Sequence, residues 1–351
     1  MKIRVVVAPV LAGACGLVMI AAASGVQARQ APAAAPAAAQ QKEPLDPCGG
    51  RSAQPEVPCA ADVTKMLAAL PAKAPAAPQK PRKVLVLGRA AGFAHSARPL
   101  AAATIVEMGK KTGAWTADVT YDAAAFTADN LKQYDAVFLA STTGTFLDDP
   151  NDAGATAARR KALLDFIRGG KGIAGIHAAS DSYHTSGGRG SGGGDPLWPE
   201  WNKIIGGYFK FHWNWPTAIT VKIDDPASPI NATFKGKSFN INDEVYTYKQ
   251  ESFSRENVHV LTSIDYSLMS DSDKKKESPQ RTDHDYALSW IRREGQGRLF
   301  YQALGHHESL YYDNPQMLEH LLAGMQYALG DLKADDSPSV KPKTSSNAPA
   351  K

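Results

Sequence analysis

The chain has 351 residues, 43% of them apolar, with 39 Lys and Arg against 35 Asp and Glu. Its formal charge of +4 falls by two if an N-terminal signal carrying Lys2 and Arg4 is removed. Neither balance is the charge excess that a nucleic-acid partner or an anionic membrane surface requires, and the length suffices for one large core of roughly 250 residues plus tails.

Lys2 and Arg4 precede an apolar run from Val5 to Ala23, and Val26-Gln27-Ala28 supplies a small-x-small cleavage site. This is the pattern of a secretory signal over residues 1–28, with the mature chain starting at Arg29 in the periplasm or outside the cell. Residues 29–47 read as a disordered Ala/Pro/Gln linker. Cys15 leaves with the signal. Cys48 and Cys59 are then expected to pair in an oxidising compartment, closing a small segment over 48–70. That segment ends in an amphipathic helix, Ala61 to Leu70, with Val63, Met66, Leu67 and Leu70 on one face. Residues 71–82 read as a second Pro/Ala linker.

From residue 83 strands and helices alternate. Val84 to Leu87 reads as a buried strand. A helix follows from about Ala97 to Lys111, with Pro99 in its first turn. Ala117 to Tyr121 and Ala136 to Leu139 read as strands with a short helix near Asn130 between them. Ala157 to Gly169 is an amphipathic helix, and Ile173 to Ile176 the next strand. Such βαβ alternation predicts an α/β fold with a doubly wound, mostly parallel sheet flanked by helices. The second half is less regular. Ile219–Ile223, Val245–Tyr248, Val258–Ile264, Ala287–Arg292 and Leu299–Leu304 read as strands, some of them antiparallel additions. Residues 185–196, rich in Gly and Ser, read as a loop without regular structure, either a lid or a surface insertion. A last helix runs from Gln316 to Leu329 and is closed by Gly330. Residues 333–351 read as a disordered polar tail.

The strand Gly172-Ile173-Ala174-Gly175-Ile176 ends in His177-Ala178-Ala179. In open α/β sheets ligands bind beyond the carboxyl ends of the strands, where an imidazole flanked by small residues has room to act. A histidine satisfied within the core fits the same pattern. His95, His212, His284 and His306 also lie near strand ends. Asp243-Glu244-x-Tyr246 adds two carboxylates and a phenol. Arg298 offers a guanidinium able to grip an oxyanion. Trp198, Trp201, Trp213, Trp215 and Tyr208 crowd one stretch and suit a sugar platform or the core equally.

Together, Gly92-Phe-x-His95, Gly172-x-x-Gly-Ile-His177-Ala-Ala, Trp198-Pro-x-Trp201, Phe209-x-x-His212, Asp243-Glu244-x-Tyr246, Asp283-His284 with Trp290, Gly297-Arg298-x-x-Tyr301 and Gly305-His306 resemble the ThuA-like, trehalose-utilisation family. The resemblance covers residues 83–332. It implies a class I glutamine amidotransferase-like fold with flavodoxin-like layering. It also implies a hydrolase, lyase or isomerase acting on a disaccharide, glycoside or keto-sugar. Amidotransferases place a nucleophilic cysteine at a sharp strand-to-helix turn, served by a His-x-Glu pair. Here His177 holds the turn and His306-His307-Glu308 resembles the pair. No cysteine occurs in residues 60–351, so glutamine hydrolysis by thiol chemistry is excluded. Imidazoles and carboxylates remain, a set suited to proton transfer or to a divalent metal that activates water. On this reading His177, His306 and Glu244 are catalytic. His95, His212, Asp243, Tyr246, Arg298, Trp198 and His284 bind substrate. A divalent metal, zinc or another, is left open as cofactor, held by three or four of His95, His177, His212 and His306, with Glu244 as a further candidate ligand. The expected partner is a small-molecule sugar, with no nucleic acid and no stable membrane span after signal cleavage; a homo-oligomer stays open. The alternative is a non-catalytic sugar-binding module or scaffold subunit.

Overall fold

The computed structural model describes residues 56–186 and 193–340. The expected signal, the linker over 29–47, Cys48 and residues 341–351 lie outside the described residues. In chain order the first half comprises α1 (Ala60–Ala69), β1 (Lys83–Leu87), α2 (Arg98–Thr112), β2 (Thr116–Thr120), α3 (Ala128–Leu131), β3 (Ala136–Ala140), α4 (Ala153–Arg168) and β4 (Gly172–Ile176). The second half comprises β5 (His184–Ser186), β6 (Gly193–Pro196), α5 (Pro199–Ile205), β7 (Phe209–Ile223), β8 (Phe239–Tyr248), β9 (His259–Ile264), α6 (Asp271–Lys274), β10 (Ala287–Glu294), β11 (Gly297–Gln302), α7 (Leu310–Asp313) and α8 (Pro315–Leu329).

Nine strands form one sheet in the order β2-β1-β3-β4-β11-β10-β9-β7-β8. The first five are parallel neighbours. Strands β3 and β4 are buried along their whole length, as expected of parallel strands covered on both faces by helices. Local chemistry sets the helix ends. Asp152 caps α4 by accepting from the Ala155 N–H, Pro99 and Pro315 occupy first turns, and Gly113 and Gly330 close α2 and α8 in left-handed conformations. The fold expectation therefore holds, with four antiparallel strands added beyond β11.

One addition shapes the site. Strand β7 pairs with β9 only through Val221–Ile223, then with β8 alone back to Phe209. The β7–β8 ribbon thus projects past the sheet edge where β4 and β11 end. Register shifts between Trp213 and Thr217 interrupt its pairing, the kind of irregularity that bends a ribbon. Both strands are longer than their apolar cores suggested.

Three sequence expectations need correction. The segment over 60–82 is neither separate nor a free linker. Met66 and Leu70 are part of the main core, while Leu67, expected on the same face, is 40% exposed. Ala76 exchanges two hydrogen bonds with the Gln326 side chain, and Arg82 grips Asp331 through Nε and NH2. The Gly-rich stretch holds the antiparallel pair β5–β6, with residues 187–192 outside the described set. The tail is tied down as far as Val340: Asp336 accepts from Arg293 and Tyr327, and Val340 N–H donates to the Arg255 carbonyl. Backbone donors and short polar caps supply these tethers, and neither carries an apolar period. Among the described residues no helix is long and apolar enough to cross a membrane.

Candidate functional site

Four segments far apart in sequence meet at the carboxyl edge of the parallel strands. His177 follows β4, His306 follows β11, His95 sits in the loop after β1, and Glu244 comes from β8 of the overhanging ribbon. All four are buried, and one ligand-type atom from each lies within 4.8 Å of the others. His177 Nε2 is 3.2 Å from His306 Nδ1 and 3.5 Å from Glu244 Oε1. His306 Nδ1 is 3.2 Å from the same Glu244 oxygen. The His95 ring stands edge-on to both, with centroids 4.7 Å from His177 and 5.1 Å from His306.

The turn at His177 is strained and braced. Its φ is +46°, in the left-handed region that non-glycine residues enter at a cost of about 1–3 kcal/mol. Gly175 makes the tight return feasible, since a Cβ there would lie 2.8 Å from the Ala179 Cβ. The Tyr301 hydroxyl donates to the His177 carbonyl at 2.6 Å and contacts Ser180 Oγ at 2.7 Å. Register explains the brace: Tyr301 lies opposite Gly175 on the neighbouring strand. Where those two strands end, His177 Nδ1 donates to the Ala303 carbonyl at 2.9 Å. That bond fixes the tautomer and leaves the Nε2 lone pair aimed into the cluster.

His306 and Glu244 share a second brace. The buried Asp243 accepts from the Gly305 N–H at 2.6 Å and from the Glu244 N–H at 2.9 Å. Gly305 has a φ of +143°, and a Cβ there would meet Ile176 and the Tyr311 hydroxyl at about van der Waals overlap. On the other side of the carboxylate, His212 Nδ1 lies 3.3 Å from Glu244 Oε2. The Tyr246 hydroxyl is 3.4 Å from His95 Nε2. His212 is partly exposed, and Phe93, ring against ring with His95 at 4.8 Å, is 50% exposed. These two mark the cluster's solvent side.

The electrostatics follow from burial and charge. Burial alone would raise the Glu244 carboxyl, but the imidazoles of His177 and His306 against its Oε1, with His212 on its other side, outweigh it and hold the group far below the usual carboxylate range. Burial, helped by the neighbouring imidazoles His177 and His306, pushes His95 well below the usual histidine value and keeps it neutral. Burial also lowers His212 and raises Asp243 and Tyr246.

The structure thus brings together His95, His177, His212, Asp243, Glu244, Tyr246 and His306. It does not bring in the other three predicted residues. Arg298, the second residue of β11, lies opposite Gly172 at the far end of the strand pair from His177 and lines a groove with Tyr327 and Gly330. The separation is roughly five residues of strand, or about 16 Å. Trp198 is buried between Tyr183, Trp201 and the Arg160 guanidinium. Trp201, Trp213 and Tyr208 are core residues too, leaving Trp215, stacked flat on His307 at 4.1 Å, as the half-buried tryptophan of that stretch. His284 is exposed and stacks on Tyr266. Of the candidate metal ligands, His212 stands outside the inner four, while Glu244 joins His95, His177 and His306. His177 itself is fully buried, while its ring still faces the other members of the cluster. Sequence reasoning gave no role to Tyr301, Ser180 or Phe93. A large residue directly across from a glycine was the available signal for Tyr301.

A sequence profile of the ThuA family, described as trehalose utilisation, matches residues 83–328. Among solved structures, a ThuA-like protein from Bacteroides uniformis aligns over 73% of this chain and 95% of its own, with 20% identity and a TM-score of 0.52. Another from Parabacteroides merdae aligns over 73% of this chain and 93% of its own, with 18% identity and a TM-score of 0.49. At such identity the first supports the fold and nothing finer. No curated protein matches the chain.

Proposed function

Since the chain belongs to the ThuA family of trehalose utilisation and its role is carbohydrate-related, we propose that it is an exported enzyme that transforms a sugar by proton transfer at the His95, His177, Glu244 and His306 cluster. The observation that carries this reading is the convergence of four buried polar side chains from distant segments onto one strained turn. Strain and buried polarity both cost stability, and a core needs neither.

The chemistry follows from the atoms. His177 Nε2 holds a lone pair in a fixed direction, because Nδ1–H is committed to Ala303. It can remove a proton from a sugar hydroxyl, from a carbon beside a ketone, or from a water. Glu244 stays ionised and stabilises the imidazolium so formed. His306, in contact with both, can return the proton to a departing oxygen. Hydrolysis, elimination and isomerisation all need this pair of steps, and the substrate decides among them. Phe93, His212 and Trp215 offer faces and an imidazole to a sugar ring on the solvent side.

The test is turnover of trehalose, other disaccharides, glycosides and their keto derivatives by the full mature chain, followed by NMR. His177→Ala and Glu244→Gln are each expected to lower turnover by about 10²–10⁴-fold. Equal turnover by His177→Ala and the parent protein would refute the assignment. Saturable sugar binding without product would favour the non-catalytic module.

A further inference from the structure

We propose that His95, His177, Glu244 and His306 form a binding site for one divalent first-row transition-metal ion, with three imidazoles and one carboxylate as ligands. The inference stands apart from the sugar reading, because an ion can be measured with no sugar present.

His177 Nε2, His306 Nδ1 and Glu244 Oε1 form a nearly equilateral triangle with sides of 3.2, 3.2 and 3.5 Å. Donor atoms held about 2.1 Å from a common ion lie about 3.4 Å apart in a tetrahedron and about 3.0 Å apart in an octahedron. The observed sides match this range. His95 supplies the fourth donor within the 4.8 Å group, and its Nδ1 is buried without a hydrogen-bond partner among the described residues.

The His177 Nδ1–H donates to the Ala303 carbonyl, which leaves Nε2 as the ring atom facing a carboxylate oxygen and a second imidazole nitrogen. A cation between them would take the lone pairs of His177 Nε2 and the carboxylate, together with that of His306 Nδ1 in its Nε2-protonated tautomer. An imidazole whose outer N–H is bound to a backbone carbonyl is also how metal-ligating histidines are oriented. His212, whose Nδ1 lies 3.3 Å from Glu244 Oε2, flanks the donors, and Asp243 fixes the backbone of Glu244 and Gly305.

The donor set narrows the ion. Three nitrogens and one carboxylate, without thiolate, suit zinc, manganese, iron, cobalt or nickel in the divalent state. Calcium and magnesium ask for more oxygen ligands than the cluster holds. With His177 Nε2 as its ligand, an ion here would act on a sugar oxygen or a water as a Lewis acid in the metal-loaded protein, and proton removal by His177 would belong to the metal-free protein.

The full mature chain, made without a polyhistidine tag, is stripped with chelator and titrated with Zn²⁺, Mn²⁺ and Co²⁺. The expected result is one ion per chain by elemental analysis, a raised melting temperature, and Co²⁺ visible bands displaced by one equivalent of Zn²⁺. His177→Gln and Glu244→Gln should each weaken binding at least tenfold, while His212→Ala, acting through Glu244, should weaken it less. Stoichiometric binding unchanged in both glutamine variants would overturn the site, as would the absence of any ion or stabilisation in the parent protein. If neither variant folds, the parent Co²⁺ spectrum decides: no displaceable bands means no site. Loss of sugar turnover with metal binding intact would sink the functional reading and leave this one standing.

Discussion

Replacing Asp243 by alanine tests the architecture of the site more sharply than replacing a histidine. Its carboxylate is fully buried and accepts two backbone N–H groups, from Gly305 and from Glu244. Removing it orphans both donors, at about 1–3 kcal/mol each. One gain opposes this loss: burial raises the Asp243 carboxyl, so deleting a poorly solvated acid returns part of its desolvation cost. The orphaned pair wins, because neither N–H can reach water, and a net loss of about 3 kcal/mol follows. In a domain of this size that lowers the melting temperature by about 5–10 °C. The two donors belong to the residue before His306 and to Glu244 itself, so both cluster members should lose their fixed positions. Any ion bound there should be held about 10–100-fold more weakly, the usual effect of losing an outer-shell support. Asp243→Asn keeps one acceptor and should fall between the parent and Asp243→Ala. Urea melts and Co²⁺ titration measure the two effects separately. Parent-like values for Asp243→Ala in both would show that Gly305 and Glu244 are placed by something other than this carboxylate.

Met66 is fully buried, so Met66→Ala should cost about 2–5 kcal/mol, and a chain starting at residue 83 should melt lower still; an unchanged melting temperature would return residues 60–82 to the role of a linker. His320 is buried between the Ile230 carbonyl and Ser289 Oγ, and burial pushes its value down to about 4. Between about pH 4 and 6.5 the unfolded chain therefore binds the extra proton. Stability should rise with pH across that window and fall by about 3 kcal/mol on acidification through it. His320→Gln should flatten this slope, and an unaltered slope in pH-dependent urea melts would count against it. Intact mass before and after reduction and alkylation of protein recovered from the periplasm should give a chain starting at Arg29 with Cys48 and Cys59 joined. Two freely alkylated thiols would dismiss the disulfide.

The parallel half was legible because each buried strand is a short apolar run between helices with readable ends: Pro99 and Gly113 around α2, Gly169 after α4, Pro315 and Gly330 around α8. The ribbon was not. Phe209–Ile223 mixes aromatics, Asn214 and Pro216 around a pairing irregularity, so its alternation breaks where the ribbon leaves the sheet. Reading Trp198 as a platform failed for a different reason, since aromatic content does not say which side of a helix meets the core. Arg298 was avoidable: it is the second residue of β11, and ligands gather where parallel strands end.

The residues that make chemistry feasible here were the hardest to see. His177, His306 and Glu244 are chemically conspicuous, yet their geometry rests on the Ala303 carbonyl, the Tyr301 hydroxyl and the backbone N–H groups of Gly305 and Glu244. None of these announces itself by residue type. Each appears only once β11 lies beside β4 and the ribbon folds over their ends. The same register that puts Tyr301 across from Gly175 places Ala303 beside His177, so one strand pairing both braces the turn and sets the tautomer. A change that slips β11 by a single residue would turn Tyr301 to the other face and take both supports from His177 together. That shared dependence ties the direction of the His177 Nε2 atom to the register of the central sheet.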